Sequence, residues 1–213
     1  MRKILVVSIL TGMVWVMGGC AAGAFLGYQI FAPREKKIKA EYKNLADTTV
    51  AIVIASGPAM DFEFPTAKTN MALNMAYYTG KQIKTVKFVD QEKIESYQRD
   101  DLDWMRASVA EIGRKFGADR VVYVDLVKFT INEENSINLL RGNVDADLRV
   151  YEMDGATPDK PAYQSRVQVF FPENNPIPLS DENTRIIIEN QTTALFALNA
   201  AQKFYDYKVP IKD

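Results

Sequence analysis

The chain has no histidine, only one cysteine in 213 residues, and no surplus of basic charge. Each shortage closes a class of chemistry. Imidazole supplies the near-neutral base or the nitrogen ligand in a Ser/His/Asp triad, a Cys/His pair and a His-based zinc site, so all three are excluded. A single cysteine permits no internal disulfide, and a globular region of this size needs none to hold a core. The 26 basic residues against 27 acidic ones lack the strongly basic balance that nucleic acid demands. Carboxylate and lysine chemistry are what remain for catalysis. Neither a metal nor a cofactor is expected.

The one cysteine is placed tellingly. Arg2 and Lys3 precede an uncharged run of 13 residues, Ile4 to Val16, and then comes Met17-Gly18-Gly19-Cys20. A basic start, an apolar stretch of about 7 to 15 residues and small residues before a cleavage point make an export signal. Two small residues ahead of a cysteine make it resemble a bacterial lipoprotein signal, with Met17 where leucine is usual. The expectation is a signal peptide over 1–19, a lipid such as palmitate on Cys20, and a periplasm-facing protein. Ala21 is not the aspartate that holds enteric lipoproteins in the inner membrane, which favours the outer membrane.

The alternative is an uncleaved membrane anchor. The chain stays uncharged for 29 residues, Ile4 to Ala32. As one helix this run would measure roughly 43 Å against a hydrocarbon core of about 30 Å. Gly18, Gly19, Gly23 and Gly27 also weaken it as a helix, so the cleaved signal is favoured. Either way the remainder lies outside the cytoplasm. Residues 1–19 hold two basic and no acidic residues, so their removal leaves 24 against 27, a formal charge of −3. Residues 20–47, rich in Lys and Glu after Pro33, read as a tether, and 48–213 as one domain.

Hydrophobic periodicity outlines that domain. Val50 to Ala55 reads as a buried strand ended by Ser56-Gly57-Pro58. A helix follows from Pro65 to Tyr78, with Met71, Met75 and Tyr78 on one face and Thr79-Gly80-Lys81 as its terminator. That Gly-Lys step lacks the earlier glycine of a phosphate-binding loop. Lys84 to Val89 is a second strand, and Asp90 is placed to cap a helix from Gln91 to Gln98. A longer helix starts near Trp104, carries Met105, Val109, Ile112 and Phe116, and stops at Gly117. Three strands come next, Val121–Ile131, Leu140–Tyr151 and Ala162–Phe171. A last helix, Ser180–Tyr205, turns Ile187, Ala194, Leu198 and Ala201 inward. The fold class is α/β, a mixed sheet in the order β-α-β-α-α-β-β-β-α.

The acidic clusters are the candidates for chemistry. Asp100, Asp101 and Asp103 precede a helix and are expected to cap it. Glu133 and Glu134 sit in a polar turn between strands. Asp145 and Asp147 alternate with Val144, Ala146, Leu148 and Val150, so both carboxylates share one strand face. A paired acid and base would have that spacing, and so would the wet face of a half-covered sheet.

Phe116-Gly117-Ala118-Asp119 running into the apolar strand Val121-Val122-Tyr123-Val124 resembles a step shared by a group of exported bacterial lipoproteins. The group comprises the curli secretion channel protein, an outer-membrane activator of a penicillin-binding protein, and the amino-terminal domain of the Tol-system propeller protein. Arg149-Val150-Tyr151-Glu152-Met153-Asp154-Gly155 loosely matches their next hairpin. The resemblance implies an αβ domain without catalytic residues that binds envelope proteins or assembles into rings. The loops Gly57–Phe64 and Asn132–Asn138 are too short and polar for the membrane hairpins of a pore.

Two functions are therefore expected. The first is a non-enzymatic lipoprotein, anchored through Cys20, that docks on an envelope complex and is a possible homo-oligomer, with Trp104, Tyr97 or Phe170 as contacts. The alternative is a tethered hydrolase or sugar-binding domain using Asp145 and Asp147.

Overall fold

The computed structural model describes residues 35–211. They divide into two units, one holding Glu35–Ile38 (β1) with Lys208 onward, the other Lys39–Tyr207. In the first, β1 pairs with β8 (Tyr207–Pro210), and Lys208 Nζ lies 2.8 Å from Glu35 Oε2. Of the stretch expected as a tether, only residues 35–47 are described. Glu35–Ile38 is a strand, and Tyr42 and Leu45 are buried in the main core of the larger unit.

The larger unit is built on a mixed sheet ordered β3-β2-β4-β5-β6, with β7 also on β5. The strands are β2 (Thr49–Ala55), β3 (Lys87–Phe88), β4 (Arg120–Asn132), β5 (Leu139–Glu152), β6 (Tyr163–Phe171) and β7 (Ile177–Pro178). β3, β2 and β4 run parallel, while β5 opposes β4, and β6 and β7 oppose β5. The mixed α/β class and the sheet agree with the sequence reading.

Among the described residues there are five α-helices: α1 (Pro58–Glu63), α2 (Ala67–Gln82), α3 (Gln91–Asp100), α4 (Val109–Phe116) and α5 (Glu182–Ala201). Among the described residues no helix is long and apolar enough to cross a membrane. One sheet face is covered by α2 and α5, whose Met71, Met75, Phe196 and Ala197 meet Ile52, Val124, Leu148 and Val167. The other face has a smaller core, where Ile94 of α3, Trp104 and Ile112 of α4 meet Ala51, Val53 and Val121. That second layer covers the parallel side of the sheet and reaches Tyr151 at the end of β5; the rest of β5, and β6, are left open beyond it.

Local chemistry explains where the boundaries moved. A 3-10 turn, Trp104–Arg106, stands where one long helix was expected to begin. The α-helix restarts at Ser108 because a complete capping box forms there: Ser108 Oγ accepts from the Glu111 amide and Glu111 Oε2 from the Ser108 amide. It ends, as expected, at Gly117 with φ 60°. Asp90 does cap α3, accepting from the Glu92 amide at 3.1 Å. Asp101 caps no helix; its side chain accepts from the Asp103 amide in a local turn, and Asp103 makes no capping bond.

Thr79-Gly80-Lys81 does not end α2, which runs on to Gln82. The inward face of α5 is set by Ile188, Thr192, Phe196 and Ala200, and Ile187 is 56% exposed. The short strands β1, β7 and β8 were not anticipated. Segments of two to four residues carry too little periodicity to register.

Candidate functional site

The open half of the sheet holds the predicted acidic pair. Leu140, Val144, Ala146, Leu148 and Val150 of β5 are fully buried under α5, while Arg141, Asn143, Asp145, Asp147 and Arg149 point the other way. A bulge in β4 extends this polar face. Leu126 pairs with Ala146 but Lys128 pairs with Asp145, so Val127 is extra and stands 55% exposed. Inside/outside parity flips at that point. Before the bulge Asp125 belongs to the wet face, with Tyr123 packed at the margin of the smaller core; after it Lys128, Thr130 and Asn132 do, while Phe129 and Ile131 stay in the core.

The carboxylates are held by arginines. Arg166 of β6 donates to both oxygens of Asp145, its Nε at 2.7 Å from Oδ1. These hydrogen bonds hold the Asp145 carboxyl below the usual carboxylate range against the opposing effect of burial. Asp147 sits directly opposite Asp125 in the ladder, and Arg149 Nη2 lies 3.9 Å from one and 3.8 Å from the other. Two facing carboxylates would repel, and the shared guanidinium offsets that. The predicted pair is therefore brought onto one face, but each member answers to a cation. Asp145 stays ionised near neutrality and is a poor proton donor or acceptor there.

A cleft of about 440 Å³ lies over this face, lined by Lys128, Thr130, Glu133, Arg141, Asn143 and Phe170 among others. The Arg141 guanidinium sits 4.9 Å from the Phe170 ring centre and donates to the carbonyls of Pro172 and Glu173. It is a clamp on that loop. Asn143 Oδ1 is buried with no hydrogen-bond partner among the described residues.

Of the expected aromatic contacts, Trp104 is core, at 5% exposure. Tyr97 packs edge-on to Phe116 at 5.7 Å beneath the Lys115 ammonium, and Phe170 lies under Arg141. None stands free on the surface. Cys20, and the signal before it, lie outside the described residues.

A second polar cluster had no signal in the sequence pattern. Arg120 is 8% exposed, and its guanidinium meets Asp154 Oδ1 at 2.7 Å and the Asn44 carbonyl at 3.2 Å. Asn44 and Tyr42 both donate to Glu152 Oε1, which lowers the pKa of that carboxyl. Asp119 accepts from the Thr49 amide at 2.7 Å. The acidic residues of the two motifs quoted above, Asp119 and Asp154, thus latch strand ends together.

No protein-family model matches the chain, and no curated protein is similar to it in sequence. Solved structures similar in fold include the PelC dodecamer from Paraburkholderia phytofirmans, at 6% identity over 78% of this chain and 96% of that one, with a TM-score of 0.43. Lipoprotein GNA1162 from Neisseria meningitidis is similar at 14% identity over 70% of this chain and 97% of that one, TM-score 0.36. Protein XCC0632 from Xanthomonas campestris gives 8% identity, 79% and 90% coverage, and a TM-score of 0.40. These are distant likenesses of fold.

Proposed function

We propose that the protein is a non-enzymatic lipoprotein of the bacterial envelope, cleaved after Gly19, lipidated on Cys20 and facing the periplasm, whose αβ domain binds envelope proteins through the open half of its sheet. The anchor rests on the Met17–Cys20 sequence and the apolar leader before it. One observation carries binding over catalysis: the Asp145 carboxylate that the hydrolase alternative would employ has both oxygens engaged by Arg166. A charged, half-covered sheet suits recognition of a complementary protein surface. An assembly of several copies is compatible with this reading, and the outer membrane is the favoured site.

Intact mass of the membrane-extracted protein beside a Cys20→Ala variant tests the anchor. A mass lacking residues 1–19 and carrying a diacylglyceryl group, lost in the variant, is the expected result. A full-length mass would overturn it in favour of an uncleaved anchor. Docking is tested by photo-crosslinkers placed at the exposed Gln168 of β6 and at Tyr77, 61% exposed on α2. Envelope-protein adducts from Gln168 alone are expected; none, or equal yields from both, would sink the docking face.

A further inference from the structure

The parallel side of the sheet reverses the direction of its winding. The chain leaves β2 over the face covered by α2 to reach β3 on one side, then returns over the opposite face through α3 and α4 to reach β4 on the other side of β2. Such a reversal opens a crevice outside the carboxyl ends of the strands, where the two connections part. A crevice of about 430 Å³ lies there, with Asp61, Lys68 and Thr69 from the connection on one face and Glu95, Arg99 and Trp104 from that on the other. Two of the lining residues are tied to the end of β2: Gln98 Nε2 donates to the Ile54 carbonyl at 3.0 Å, and Ser56 hydrogen-bonds Asp61.

The charges are unevenly used. Lys68 Nζ is satisfied by Asp61 Oδ2 at 2.7 Å, and Arg99 reaches only Ser96 and Asp100, with its side chain 70% exposed. Glu95 Oε1 is buried without a hydrogen-bond partner among the described residues. A buried carboxylate oxygen left without a donor is costly, and a ligand that supplies one recovers that cost. Two carboxylates and two cations make the lining neutral overall. The size is at the small end of the roughly 300–1,000 Å³ of ligand pockets.

We infer that this crevice is a binding site for a small zwitterion bearing an α-ammonium and a carboxylate, the ammonium donating to Glu95 and the carboxylate facing Lys68 and Arg99. Trp104 supplies an apolar wall for the rest of the ligand. The inference is independent of the lipid anchor and of the docking face, and its test leaves both untouched.

Calorimetric titration of the detergent-extracted full chain tests it, with alanine, leucine, phenylalanine and dialanine as probes, ethylamine and acetate as single-charge controls, and the thermal midpoint followed in parallel. Saturable heat with a concentration-dependent rise in midpoint is expected for a zwitterion. Preference for the amino acids or for dialanine identifies a free amino acid or a peptide as its source. Glu95→Gln should weaken binding about 10-fold or more, and the exposed Arg99→Ala should weaken it by a smaller factor without disturbing the fold. Silence from every zwitterion, equal binding of ethylamine or acetate, or unchanged affinity in both variants would overturn the assignment.

Discussion

The two halves of β4 lie in one strand and are built by different rules. From Val121 to Val124 the strand has helices on both faces, and its residues form a continuous apolar run. From Asp125 onward only the α5 side is covered, and polar residues alternate with Leu126, Phe129 and Ile131. The change of pattern marks where the second helix layer stops. Stability therefore concentrates on the face shared by both halves, and surface chemistry on the face that only the second half exposes.

The largest test of this division compares neighbours on β5. Leu148 is fully buried among α5 and the sheet. Leu148→Ala removes its transfer energy and leaves a cavity, so about 2–5 kcal/mol should be lost in urea unfolding of the extracted protein. A loss below about 1 kcal/mol would mean that α5 does not pack on the sheet as described.

Next comes the closest approach of α5 to that face. A Cβ on Gly142 would overlap Thr192 Oγ1 and come within 2.6 Å of the Thr192 Cβ. Thr192 is itself fully buried and donates to the Ile188 carbonyl, so it has little room to retreat. Gly142→Ala should cost about 1–3 kcal/mol through overpacking, read by the same unfolding curves. A neutral result would show that helix and strand stand further apart.

On the wet face the corresponding test is Arg166→Ala, which strands the Asp145 carboxylate. The expected loss is small, well below that of the two core changes, because the Arg166 side chain is 60% exposed to screening water. The pH dependence sharpens it. Arg166 lowers the native pKa of Asp145, so the pair's contribution is present above the unfolded carboxylate range and fades as pH falls through the native value. Arg166→Ala should flatten the acid limb of the stability curve while leaving its alkaline limb alone. That limb belongs in part to Tyr163, which burial and the Glu41 hydrogen bond push up to about 12. Its contribution is intact below the ordinary tyrosine range and lost as pH climbs through the native value.

The sequence carried much of this division in advance, and the reason is periodicity. Alternation in β5 placed Asp145 and Asp147 opposite Val144, Ala146, Leu148 and Val150, and the register agrees. Periodicity is a property of one segment, so it could not reveal what lies across from it. Arg166 is 21 residues away from Asp145 in sequence, and Arg120 is 34 away from Asp154. The bulge at Val127 was equally hidden, because an inserted residue shifts parity without altering composition. Nor could pattern alone show that Trp104 faces inward, since a core tryptophan and a docking tryptophan have the same sequence appearance. The crevice at the end of β2 depends on which face each connection takes, which is topology and has no local signal.

The smallest effect is expected from Asp147→Asn, and it separates the two faces most cleanly. The substitution weakens the contact to Arg149 at 3.9 Å, but it also removes the repulsion from Asp125 directly across the ladder. The two terms oppose each other on a half-exposed surface, so the stability change should stay within about 0.5 kcal/mol. Arg149 then remains paired with Asp125 alone, and Arg149→Ala, which leaves both facing carboxylates unshielded, should cost more than Asp147→Asn. Measuring the two single variants and the double variant decides this. If Asp147→Asn proved the costlier single change, Arg149 would not be the shared counter-charge, and the wet face would owe its order to something other than its alternating charges.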